Sequence, residues 1–182
     1  MTPELVLSAF LSLPSYVGDR GDSVAAREKL LRPYAEAVAD VSRENRWKAA
    51  ALIALMWHES RLARYVLEGR CQDGPRGARC DPGRDGVARA RGATQVWAWC
   101  TEAWAHPAGS LGSIRGEVAC ASRRLSGGLR ACRGRHPAGD TAGALSYYKA
   151  GACRWQPAAR RARTVDEMLY RLTFAARPRS PE

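Results

Sequence analysis

No Cys-x-x-Cys pair occurs in this 182-residue chain, although it holds six cysteines. That absence argues against paired zinc knuckles, and the even number favours disulfides instead. No apolar run approaches the roughly 20 residues that a membrane-spanning helix needs. There is no helix-turn-helix signature, zinc finger or aromatic RNP run, so a nucleic-acid binder would have only charge behind it. There is no internal repeat, which sets aside repeat architectures. No clear targeting segment is visible. The stretch from Leu5 to Leu13 is apolar but short, and no Lys or Arg precedes it. It reads as an amphipathic helix opened by Thr2-Pro3-Glu4, with Pro at the first helical position. An exported protein of this kind would have lost a leader or would use another route, such as phage lysis or a dedicated secretion system.

What is present is an ordinary globular composition, 46% hydrophobic and 26% charged, which excludes disorder of the whole chain. The length suits one domain with a real core. The formal net charge is +11, carried far more by Arg than by Lys. Such a charge favours an anionic partner: nucleic acid, an anionic membrane surface, or an acidic polymer such as a bacterial cell wall. High-GC coding bias also enriches Arg, so the charge does not choose among these. A nucleic-acid partner would show itself by steep salt dependence. The cysteines stand at 71, 80, 100, 120, 132 and 153. As disulfides they imply an oxidising compartment. Six allow 15 pairings; closing the two short loops pairs Cys71 with Cys80 and Cys120 with Cys132, which leaves Cys100 with Cys153.

The pattern along the chain is mainly helical. A helix is expected over about 3–12, then a loop marked by Pro14, Gly18 and Gly21. A second helix starts near Asp22-Ser23; Pro33 interrupts it and opens a new one to about Asn45. A central helix runs from about Arg46 to Leu67. It is apolar nearly all round between Ala49 and Trp57, so it is expected to be buried on most sides. Gly69 to Arg91 is dense in turn residues, and so long a loop is usually functional. A small hairpin could form within it. Further helices are expected from about Ile114 to Leu125, loosened by Gly127-Gly128, and from an N-cap at Asp140 to Lys149, ended by Gly151. Thr164-Val165-Asp166-Glu167 reads as a capping box for a last helix.

Glu59 closes the most apolar stretch of the chain, Ala49 to Ser60. On a helix its neighbours at three and four positions are Leu55, Met56, Leu62 and Ala63, all apolar. Desolvation of that kind raises a carboxyl pKa, and a carboxyl that keeps its proton near neutral pH can act as a general acid.

Three short motifs surround this acid in order. Glu59-Ser60 ends a helix; Gly92-Ala93-Thr94-Gln95-Val96 follows a variable loop; Ser146-Tyr147-Tyr148-Lys149-Ala150-Gly151 comes last. This order resembles the soluble lytic transglycosylase family of the lysozyme superfamily, which carries Glu-Ser, then Gly-Leu-Met-Gln-Ile, then Ala-Tyr-Asn-Ala-Gly. The resemblance covers roughly residues 46–155. It implies an α+β, predominantly α-helical, lysozyme-like fold with a buried central helix and a long disulfide-stapled loop or small hairpin region. The corresponding single catalytic domain spans 1–176: N-terminal helices over 1–45, the motif-bearing core over 46–155 and a C-terminal helix over 164–176. Residues 177–182 are expected to form a frayed tail.

The resemblance further implies cleavage of the β-1,4 bond between N-acetylmuramic acid and N-acetylglucosamine in peptidoglycan glycan strands, by an extracytoplasmic monomer that needs no cofactor and no metal and binds no nucleic acid. Glu59 would be the one catalytic acid and base, closing a 1,6-anhydro ring on the muramyl sugar. Ser60 would hold sugar or backbone near it. Gly92 would permit close backbone approach, and Gln95 would hydrogen-bond substrate. The Tyr148 hydroxyl would meet Glu59 or an N-acetyl group. Trp97, Trp99 and Tyr147 offer flat faces to sugar rings, while Arg89 and Arg91 could meet peptide-stem carboxylates. Two positions depart from the family. Thr94 stands for Met and removes an apolar wall from the cleft. Lys149 stands for Asn; it is expected to point away, since a cation at Glu59 would oppose the acid role.

Plainer readings compete. Glu59 could be a solvated helix-end residue paired with Arg61 or Arg64. His58 reads as structural or surface, and the tryptophans as core. Asp73, Asp81 and Asp85 fit turn chemistry, though one of them could serve as a second carboxylate in a hydrolytic muramidase of goose-lysozyme type. An inactive wall-binding module of the same fold is the remaining alternative.

Overall fold

A computed structural model describes residues 1–14, 21–70, 90, 92–96 and 99–174. Among these residues the protein is predominantly helical and no strand occurs. The strand part of the expected α+β class thus has no counterpart there. The segment expected to hold a hairpin, 71–89, lies outside the described residues, as do Cys71, Cys80, Arg89, Arg91, Trp97, the three loop aspartates and the tail 177–182.

Helix α1 (Pro3–Leu11) starts as its sequence dictates: the Leu5 amide donates to the Thr2 hydroxyl at 3.3 Å. Helix α2 (Val24–Ser42) is capped by Ser23 and runs through Pro33 without a break, contrary to the expected division. Proline in a helix interior costs about 3 kcal/mol. The buried residues Leu31, Tyr34, Ala35 and Val38 hold the turns on both sides of it.

Helix α3 (Arg46–Ser60) is the centre of the fold. Every residue from Ala49 to Met56 is at most 1% exposed, as the all-round apolar pattern requires. It ends sooner than the expected Leu67. Arg61 and Leu62 both adopt left-handed backbone (φ 57° and 55°), and a separate short helix α4 (Arg64–Leu67) follows. The carboxyl of Glu59 therefore sits in the last turn of α3 instead of mid-helix.

Helix α5 (Thr101–Trp104) is short, and α6 (Leu111–Ala131) outruns its expected limits at both ends. Gly127-Gly128 lies inside α6. Gly128 serves packing: a Cβ there would come 2.9 Å from the Ala144 carbonyl oxygen of α7 (Gly139–Ala150), so only glycine lets the two helices approach this closely. Asp140 is not the cap of α7; it accepts from the Gly134 amide at 2.7 Å. Gly151, left-handed at φ 66°, ends α7 as expected. Helix α8 (Ala158–Phe174) begins six residues before Thr164, so the capping-box reading is wrong. Ala158, Ala162, Val165, Met168 and Leu172 form its buried stripe, and that stripe packs on α3. The Thr164 hydroxyl instead bonds Nε2 of His58 at 2.9 Å, which makes His58 structural.

Among the described residues two disulfides, Cys100–Cys120 and Cys132–Cys153, replace the expected Cys120–Cys132 and Cys100–Cys153 pairs. Cys120 and Cys132 stand at the middle and the C-cap of the single helix α6. Twelve residues of helix separate them by about 18 Å, far beyond the reach of a disulfide. The observed bridges tie α6 to the segment before α5 and to the loop after α7. No helix among the described residues is long and apolar enough to cross a membrane.

Candidate active site

Glu59 is buried, 8% exposed, at the C-terminal end of α3. A carboxylate there lies against the negative end of the helix dipole. Two cations from other helices offset this. Lys149 Nζ of α7 donates to Oε2 at 2.9 Å, and Arg161 Nη1 of α8 donates to Oε1. The expectation that Lys149 points away is overturned, and so is a solvated pair with Arg61 or Arg64. Arg64 meets Asp22 at 2.7 Å, and the Arg61 guanidinium lies 4.0 Å from the Trp57 ring centroid. The Arg161 guanidinium is in turn held 4.8 Å from the Trp155 ring centroid.

Glu59 opens on a groove of about 420 Å³. Gln95 from the second motif lines it, with Trp99, Arg124 of α6, and Tyr148, Lys149 and the Ala150-Gly151 turn from the third. All three motif segments thus converge on one groove, whose volume is in the range of small-ligand sites.

The second motif forms a tight turn built over a buried acid that the motifs do not contain, Glu117 of α6. Thr94 donates to Glu117 Oε2 twice, from its amide at 2.9 Å and its hydroxyl at 2.8 Å. Gly92 has φ 63°, and a Cβ on it would fall 2.1 Å from Glu117 Oε1. Glycine is needed here to make room for the acid. Thr94 is fully buried and is a partner of Glu117, not a missing cleft wall. Burial pushes the Glu117 carboxyl up from about 4.5 to about 7, against the opposing pull of its Thr94 hydrogen bonds. Burial first, and Glu117 second, also raise the Tyr34 phenol. The signal for Glu117 lies in the chain: it falls three residues after Ile114 and four before Ala121, on the apolar face of α6.

The remaining candidates fall into two groups. Tyr148 reaches the groove, but its hydroxyl donates to the Thr94 carbonyl at 2.9 Å and not to Glu59. Burial, with the Glu59 charge next, drives its pKa far upward. Gln95, at φ 52°, donates from Nε2 to the Gly92 carbonyl at 2.8 Å and so braces its own turn at the groove wall. Ser60 is fully buried. Its hydroxyl donates to the Met56 carbonyl at 2.8 Å and accepts from the Leu62 amide at 3.0 Å; it holds backbone at the helix end and is not among the described residues lining the groove. Tyr147 is half-buried beside Arg124, 5.7 Å from guanidinium to ring centroid, and is not among the described residues lining the groove. Trp99 is half-exposed and does line it. His58, next to Glu59, is held neutral: burial, then Arg161 and Arg61, lower its pKa from 6.5 to about 4.

Compared with protein-family models, curated proteins and solved structures, the chain matches none.

Proposed function

We propose that the protein is an extracytoplasmic lytic transglycosylase of lysozyme-like fold that cleaves peptidoglycan glycan strands. The observation that supports this reading is the convergence of Glu59, Gln95 and Tyr148, from three separated segments, on one groove beside a buried acid. In the proposed reaction the Glu59 carboxyl passes its proton to the oxygen leaving the muramyl C1 as the β-1,4 bond breaks. The Glu59 carboxylate then takes the proton of the muramyl 6-hydroxyl while O6 bonds to C1. One acid suffices because the substrate brings its own nucleophile, so the two-carboxylate arrangement of ordinary glycosidases is not required. Glu59 is the one acidic side chain among the described lining residues, which favours this route over a hydrolytic muramidase. Trp99 offers a flat face for a sugar ring. The two disulfides among the described residues suit an oxidising compartment.

One observation favours a second reading, a wall-binding module of the same fold without activity. Both carboxylate oxygens of Glu59 are already held by cations, Oε2 by Lys149 and Oε1 by Arg161. The acid role therefore requires at least one of these pairs to open when substrate fills the groove. Lysis of purified peptidoglycan by the wild type and by Glu59→Gln separates the readings. An enzyme clears the suspension and the variant does not; a binding module sediments with the wall and clears nothing in either form.

A further inference from the structure

The two cations on Glu59 are not equivalent. The Arg161 side chain is 15% exposed and stacked on Trp155, whereas Lys149 is 46% exposed and lines the groove. An ion pair with a half-exposed partner is weak and readily exchanged, while a shielded, stacked one is not. Lys149 is therefore the partner that can leave Glu59 while Arg161 stays. Once it turns, it shares the groove with Arg124, whose Nε is anchored on the Tyr148 carbonyl at 3.1 Å and whose guanidinium lies 5.1 Å from the Trp99 ring centroid. Two cations then face a groove with no second acid among its described lining residues, an arrangement complementary to an anion.

We propose that Lys149 is a specificity-determining residue that exchanges Glu59 for a carboxylate on a saccharide ligand, the lactyl or peptide-stem carboxylate of muramic acid. The identity of the sugar rests on the function proposed above. The exchange keeps charge in balance: Lys149 trades one carboxylate for another, and Glu59 keeps Arg161 alone when the groove fills. Binding of a charged ligand and release of the acid are thereby one event. A neutral saccharide leaves the Lys149–Glu59 pair closed.

Titration by NMR with N-acetylmuramic acid, muramyl dipeptide and N-acetylglucosamine tests this. None of the three carries a bond between sugars, so cleavage does not enter. The first presents the lactyl carboxylate, the second a stem carboxylate, the third neither. The wild type is expected to bind one or both acids about fivefold more tightly than N-acetylglucosamine, with the margin shrinking in salt. Lys149→Met should bring the ratio to about one, and Lys149→Arg should restore the preference. No preference in the wild type, no binding of any of the three, or a preference that survives Lys149→Met overturns the proposal. A protein that shows the preference but leaves peptidoglycan intact loses the enzymatic reading alone. One that cleaves without it loses only this role of Lys149.

Discussion

Two buried glutamates stand on either side of the Gly92–Gln95 turn, and the protein treats them differently. Glu117 is sealed beneath the turn among neutral donors, the Thr94 amide and hydroxyl. Glu59 opens on the groove and is met by charge, Arg161 and Lys149. Neutral donors in a closed site fix a backbone shape. Exposed or part-exposed cations hold an acid that a ligand can still reach. The contrast separates an acid that builds the wall of the groove from an acid that opens into it, and burial alone does not distinguish them.

The largest effect expected is on the walled-in acid. Gly92→Ala forces a Cβ into the Glu117 carboxyl and places alanine at φ 63°. Overpacking and left-handed backbone together should cost about 4 kcal/mol in urea unfolding. Combined with Glu117→Ala, the loss should be smaller than the sum of the two; strict additivity would mean that the turn does not rest on the acid.

Next comes pH. The folded-state pKa of Glu117 lies above its unfolded value, so folding favours the protonated form. Its contribution is intact below about pH 4.5 and is lost as pH rises to about 7, a difference on the order of 3 kcal/mol. Glu117→Gln should flatten that part of the stability profile. His58 acts with opposite sign: its lowered pKa means that stability present above pH 6.5 is lost as pH falls toward 4. The two slopes oppose each other in the wild type, so the single variants resolve them.

The smaller effects separate the partners of Glu59. Arg161→Met removes a shielded cation and should destabilise by about 2 kcal/mol, less than a fully buried pair because Lys149 remains. Lys149→Met should change stability by about 0.5 kcal/mol or less. Equal losses in urea unfolding would erase the distinction between a fixed and an exchangeable cation.

Much of the fold was legible where local chemistry decides. The Thr2-Pro3 start of α1, the all-apolar α3 and the Gly151 stop of α7 follow from capping and periodicity alone. The misses have a common physical cause, tertiary packing overriding a local signal. Pro33 stays helical because both flanking turns are buried. Gly127-Gly128 looks like a loosened end but gives α7 room to approach. Thr164 looks like a cap but sits inside α8 against His58. The expected Cys120–Cys132 pair failed, and Cys100–Cys153 with it, because α6 continues past Leu125 and carries Cys120 and Cys132 apart. In the site, Glu59 stood out as an acid closing an apolar run. The direction of Lys149 and the partner Arg161, 102 residues away in sequence, depend on how α7 and α8 pack on α3. Glu117 was visible in principle, as one acid on an apolar helix face.

In the proposed reaction Glu59 moves the proton when a glycan strand is cut. Mass spectrometry of the soluble fragments released from purified peptidoglycan by the wild type and by Glu59→Gln tests it most directly. The expected result is 1,6-anhydromuramyl ends from the wild type and a rate about 1,000-fold lower from the variant. Equal release by the two proteins, or reducing muramyl ends in place of anhydro ends, contradicts it.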